Sequence, residues 1–201
     1  MFKRKNIEIH YGLNYIQKIS VSFLFLVLIL IVLYFRKMYS ESFIYSDNYK
    51  NIIQQNNIND PSSIVKFIKF IQKNKNSVYG SLFALQLSKM YVYKNDLNSA
   101  LLILKESLKY TSDVNISNIM ILNISRIEFQ LFHNIKAIKV INLISDSSWE
   151  SFKNDLKGDM FFLLNNKKMA FLLWKKSLDL QSDFELKEVI TMKLNRIKNE
   201  Y

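Results

Sequence analysis

Two histidines, His10 and His133, occur in the 201 residues, and there is no cysteine. They lie far apart, and neither has a cysteine or paired carboxylate at ligand spacing, so the chain offers no metal site or general base. Asp155 and Asp159 stand four apart and so share one helix face, the spacing of a carboxylate pair. Lys153 and Lys157 flank them, and the pattern predicts a charge-laced, solvated face instead of acid–base machinery. No G-x-S-x-G, phosphate-cradling glycine loop or H-E-x-x-H is present. The residues therefore predict a chain with no catalytic activity, no metal, no cofactor and no small-molecule substrate. Missing cysteine also removes disulfide scaffolds, thiol nucleophiles and cysteine-ligated clusters.

Composition narrows the class further. Lys and Arg number 28 against 17 Asp and Glu, a net charge of +11. Ile, Asn and Lys make up about a third of the chain, while alanine occurs only at 84, 100, 137 and 170 and glycine only three times. That bias follows AT-rich codons, so lysine is partly a mutational default on solvated faces. Glu106, Glu128, Asp155 and Glu188 are scattered among the cations, and no basic face follows a phosphate backbone, which argues against nucleic-acid binding. Three glycines and the single Pro61 leave too little turn chemistry for a many-stranded sheet. The expected fold class is all-α.

Residues 19–35 read ISVSFLFLVLILIVLYF, with no charge. At ~1.5 Å per residue this run covers about 25 Å, close to the ~30 Å hydrocarbon core of a bilayer. Tyr11, Tyr15, Tyr34 and Tyr39 suit the interfaces, and Lys18, Arg36 and Lys37 can snorkel. A single membrane anchor is expected, and it is expected to stay uncleaved, because Arg36 and Lys37 stand where a signal peptidase needs small residues. Lys3, Arg4, Lys5 and Lys18 precede the run and Arg36, Lys37 and Lys50 follow it, a balance leaning toward an inside N-terminus without deciding it.

Beyond the anchor, 40–56 has the spacing of a helix, with Phe43, Ile44, Tyr49, Ile52 and Ile53 apolar. Asp60 and Pro61 then open a short second helix bearing Ile64, Val65, Phe67, Ile68 and Ile71. The remainder repeats. Ser88, Ser125 and Gly158 are each followed twelve positions later by Ala100, Ala137 and Ala170, at unit spacings of 37 and 33 residues. These six are the expected packing positions, where a small side chain on one helix meets alanine on the next and a larger pair would force the backbones apart. Ala84 stands outside the frame. Tyr91 and Phe161 follow the small residue by three, with Glu128 where an aromatic is expected in the second unit. Asn95-Asp96 and Asn165-Asn166 mark turns, and Ser147 with Glu150 and Ser182 with Glu185 read as capping boxes. The period is close to that of tetratricopeptide repeats. The predicted organisation is a tail at 1–18, an anchor at 19–35, a juxtamembrane helix and first helix pair at 36–77, and tetratricopeptide-like repeats at 78–201. Repeats are placed at about 81–114, 118–147 and 151–180, with a capping helix at 183–199.

Three stretches carry a family resemblance: KNKNSVYGSLFALQLSKMYVYKNDLNSALLILKESL at 73–108, the 149–158 stretch, which runs into DLKGD at 155–159, and ITMKLNRIKN at 190–199. In order and together with the single N-terminal apolar run, they make the chain similar to the YfgM-like ancillary subunits of the bacterial SecYEG translocon. The resemblance implies an inner-membrane, single-pass protein with a short cytoplasmic N-terminus and a periplasmic tetratricopeptide-like domain. It also implies association with the SecYEG translocon and with periplasmic chaperones. Alanines usual in that family are here Ile, Leu, Phe or Ser. No catalytic motif is carried over.

In such an array the first helix of each repeat lines the concave side. The frame places Leu82, Leu85, Lys89 and Val92 there, then Ile119, Leu122, Arg126 and Phe129, then Phe152, Asp155, Asp159 and Phe162. Apolar anchors mixed with single charges suit an extended or helical peptide. The competing reading is that the terminal helix or the core covers some of them. Two functions fit the residues equally: an adaptor at the export channel, or a structural spacer in another envelope assembly such as cell division or outer-membrane insertion. The resemblance favours the first.

Overall fold

The structure is a computed structural model that describes residues 23–36 and 61–198. The chain divides into two compact units, 1–55 and 56–201. In the first, the described residues 23–36 form one helix, α1, whose side chains are all exposed. Among the described residues no helix is long and apolar enough to cross a membrane. Positions 19–22 of the expected anchor lie outside the described residues, as do the tail at 1–18, the helix expected at 40–56, Asp60 and His10.

The described residues of the second unit are helical and contain no strand. Their order is α2 (Pro61–Lys73), α3 (Val78–Tyr93), α4 (Leu97–Leu108), α5 (Val114–Gln130), α6 (Asn134–Ile141), a 3-10 turn (Ser147–Trp149), α7 (Glu150–Leu163), α8 (Lys167–Leu180) and α9 (Phe184–Lys198). α3 packs on α4, α5 on α6 and α7 on α8, while α2 packs on α3 and α9 on α8. α3 also touches α5, and α5 touches α7. The result is three stacked antiparallel pairs flanked by single helices.

Each pair is joined by a three-residue turn of one design. Asn95, Phe132 and Asn165 sit at its centre with φ of 58°, 62° and 60°, spaced 37 and 33 residues apart. The preceding amides of Lys94, Leu131 and Leu164 donate to the carbonyls of Met90, Ile127 and Met160. Those of Asp96, His133 and Asn166 donate to Tyr91, Glu128 and Phe161, and Ala100, Ala137 and Ala170 return to Asp96, His133 and Asn166. A left-handed residue closing the carbonyls of a helix end is the usual C-terminal stop, and asparagine tolerates it better than most residues. The second unit carries phenylalanine there instead.

Helix starts are set by side-chain caps. Ser77 accepts from Gly80 N–H at 3.0 Å, Asp96 from Ser99 at 3.0 Å, Asp113 from Ile116 at 2.9 Å and Asn166 from Met169 at 3.1 Å. The two capping boxes expected at Ser147 and Ser182 are corrected by one residue. Asp146 accepts from Ser148 N–H at 2.9 Å, and Asp183 accepts from Leu186 N–H at 2.9 Å. A carboxylate at the positive end of a helix is the stronger acceptor, so it takes the cap from the neighbouring serine.

The core runs along the stack. Phe67 and Phe70 meet Phe83 at ring-centroid distances of 5.1 and 4.3 Å. Ile121, Ile141, Ile144, Leu156 and Met160 fill the middle, and Ala170, Trp174, Ile190, Leu194 and Ile197 close the C-terminal end. α9 presents Ile190, Leu194 and Ile197 inward and leaves Glu185, Lys187, Glu188 and Asn195 to solvent. An amphipathic helix of that kind suits the end of a stack in water.

Candidate partner-binding surface

The six small residues of the repeat frame are all buried. In the second pair the Ser125 hydroxyl donates to the Ala137 carbonyl at 2.8 Å, so the two meet directly. In the third pair Gly158 lies against the indole of Trp174 on α8. Ala84, outside the frame, is fully buried as well. α3 is lined on several sides, by α2, α4 and α5, so more than one of its faces demands small side chains.

The inner-face residues divide into three groups. Leu82 and Leu85 are half-buried, while Lys89 and Val92 are exposed on α3. On α5, Ile119 and Arg126 are exposed and Phe129 is half-buried. Leu122 is a correction: it is only 7% exposed and belongs to the core cluster, because α5 is the central helix and is packed from both sides. On α7, Phe152 is exposed and its ring lies 5.3 Å from that of Trp149.

The remaining three positions are met by the chain itself. Lys193 of α9 reaches Asp155 and Asp159, each at 2.7 Å. The Arg196 guanidinium sits 5.0 Å above the Phe162 ring, and that ring is 5.5 Å from Trp174. Asp159 also accepts from the indole N–H of Trp174 at 3.0 Å. Asp155 and Asp159 are thus no solvated pair laced by Lys153 and Lys157. Lys153 turns instead to Glu150 at 2.8 Å and to the Ile144 carbonyl at 2.8 Å. Burial, with the neighbouring Asp159 charge adding to it, raises the Asp155 carboxyl above the ordinary carboxylate range despite Lys193. Of the positions expected on the inner face, those not met by the chain itself or buried in the core lie on α3 and α5, with Phe152 on α7.

One cluster was not foreseen. Glu128, fully buried, takes Lys105 Nζ at 2.5 Å, His133 Nδ1 at 2.8 Å and Lys136 Nζ at 3.0 Å. Burial pushes its carboxyl up, but the three donors outweigh this and hold it at about 2. Lys105 comes from α4 and Lys136 from α6, so the carboxylate ties the first pair to the second. The signal in sequence was its substitution for the aromatic of the repeat. Among the described residues no group of His, Asp or Glu could hold a metal ion.

Stacked antiparallel helix pairs, identical turns and a terminal amphipathic helix define a helical-repeat protein of the tetratricopeptide class. Residues 17–199 match the tetratricopeptide repeat-like domain family. The chain is 38% identical over 192 residues to the ancillary SecYEG translocon subunit of Buchnera aphidicola subsp. Acyrthosiphon pisum (strain APS), covering 94% of this chain and 99% of that one. It is 39% identical over 150 residues to the protein of that name from the Schizaphis graminum subspecies (strain Sg), covering 75% and 77%. Identity to the Escherichia coli (strain K12) protein of that name is 30% over 149 residues, 74% and 72% of the two chains. The chain belongs to the family of ancillary SecYEG translocon subunits. No solved structure matches it.

Proposed function

We propose that this chain is a membrane-anchored, non-catalytic adaptor that works beside the SecYEG translocon. The observation that carries the reading is near full-length similarity, over 94% of this chain, to a relative named for that complex. In this reading residues 19–35 form a single inner-membrane span with 1–18 in the cytoplasm, and the repeats stand in the periplasm. The exposed, apolar side chains of 23–35 support a lipid environment for it. The inner face of α3 and α5 takes an extended or helical segment from a periplasmic chaperone or an emerging chain. Val92, Ile119 and Phe129 provide apolar anchors, and Lys89 and Arg126 fix register. Confinement to the membrane plane raises the effective concentration of a weak binder toward ~mM, so modest affinity suffices in place.

Photo-crosslinkers at Val92 and Phe129 of the full chain in native membranes test this. The expected neighbours are translocon subunits, a periplasmic chaperone or a nascent export substrate. Neighbours drawn from cell-division or outer-membrane-insertion complexes would overturn the reading in favour of a spacer role.

A further inference from the structure

We propose that the edge formed by the three intra-pair turns docks on an anionic phospholipid surface. α3, α5 and α7 stack side by side and their turns share one backbone design, so the turns lie along one edge. Phe132, at the middle turn, is held at φ 62° while 89% exposed. A bulky residue rarely adopts that conformation, and a bare ring in water gains nothing from it. Asn95 and Asn165 close the same turn with polar side chains.

The surroundings share this character. Tyr93, Ile135 and Leu163 are 73%, 74% and 71% exposed. Between them stand Lys94, Lys167 and Lys168, with Lys136 turned to Glu128, against one acid, Asp96, whose carboxylate caps α4. Glu128 lies beneath, fully buried. Bare apolar tips spaced among amines fit the boundary of a bilayer, where rings enter the acyl margin and amines meet lipid phosphates.

The opposite edge differs. It carries or adjoins cations and acids in mixture: Lys73, Lys75, Lys109 and Lys187 stand against Asp113, Asp146, Asp179, Asp183 and Glu185. An anionic surface attracts the first edge, where cations outnumber acids, and finds no such excess on the second. The docking rests on the anchoring proposed above only for proximity.

The chain has no cysteine, so an environment-sensitive dye can be placed on Phe132→Cys or, on the opposite edge, on Phe184→Cys. Each labelled full chain is reconstituted into phosphatidylethanolamine–phosphatidylglycerol vesicles carrying a lipid-borne quencher, and into phosphatidylcholine vesicles. The expected result is a blue shift and strong quenching at 132 but not at 184, confined to the anionic vesicles. Lys94→Glu with Lys168→Glu should cut that quenching about two-fold or more, with circular dichroism unchanged. Equal quenching at both positions, equal quenching in neutral vesicles, or a blue shift without lipid quenching, as a second copy covering the edge would give, overturns the proposal. A chain that floats with vesicles while 132 stays in water overturns the docking alone. A chain that does not float overturns docking and anchoring together.

Discussion

A Cβ built on Gly158 would come within 2.4 Å of Cδ1 and 2.5 Å of Nε1 of Trp174. The indole cannot swing aside, because its N–H is held by the Asp155 carbonyl at 3.2 Å and by Asp159 at 3.0 Å. Gly158→Ala gains about 1 kcal/mol of helix propensity but forces α7 and α8 apart, an overpacking worth about 1–3 kcal/mol. The expected net loss is about 1 kcal/mol in urea melts. The double variant Gly158→Ala with Trp174→Leu should recover part of it, a coupling that a mutant cycle reads directly.

Glu128 makes stability depend on acid. Its carboxyl titrates near 4.5 when unfolded and at about 2 in the fold, so the unfolded chain binds more protons between those values. Its contribution is complete above pH 4.5 and is lost as pH falls from there toward 2. The full term is on the order of 3 kcal/mol. Glu128→Gln should remove this acid dependence from the unfolding curve between pH 5 and 3, apart from that of other carboxylates. An unchanged slope would show that Lys105, His133 and Lys136 do not hold the charge.

Alanine at the crossings carries a steric requirement. Ala100, Ala137 and Ala170 are fully buried, so each →Leu substitution should cost about 1–3 kcal/mol by overpacking. Ala84 cannot serve as an unaffected control, since it is equally buried. Exposed Lys139 on α6 is the suitable one, and Lys139→Leu should fall within ~0.5 kcal/mol of the parent.

Phe132 offers the opposite sign. Phe132→Asn installs the side chain that Asn95 and Asn165 use at the same φ. Relief of left-handed strain should stabilise the fold by about 0.5–1 kcal/mol, measured as a higher urea midpoint at constant m.

The repeats were legible because small residues are scarce here. In a chain with four alanines, three at one spacing mark the crossings, and Ser125 meeting Ala137 through a hydrogen bond shows what that spacing means physically. Turn positions at Asn95 and Asn165 were legible for a similar reason, since asparagine has a conformational use there. Phe132 was not, because nothing about phenylalanine advertises a left-handed turn. The inner face was legible as a periodic stripe, yet periodicity along one helix does not say what approaches from another. Leu122 is lost to the core and Asp155 and Asp159 to Lys193 through contacts spanning up to 38 residues. Capping was misplaced by one residue for a local reason, as serine and aspartate compete for the same amides.

Lys193 tests how far α9 belongs to the stack. It is the shared partner of Asp155 and Asp159, two carboxylates on one face of α7, and it also lies 5.7 Å from the Trp174 ring. Removing it in Lys193→Met keeps the apolar stem but leaves the two acids facing each other beside the indole. Burial already raises the Asp155 carboxyl, and loss of the ammonium raises it further. A carboxyl raised in the fold binds protons more readily there than in the unfolded chain, so the variant should regain stability as pH falls through the folded-state value. All three groups are partly exposed, which limits the loss at neutral pH to about 1 kcal/mol. Local opening of α9 should show first, as faster amide exchange at Ile190, Leu194 and Ile197 with α3 and α4 unchanged. Asp155→Asn in the same background should restore slow exchange by removing the repulsion. If Lys193→Met leaves exchange at these three positions unchanged, the hydrophobic contacts of α9 alone hold the helix in place.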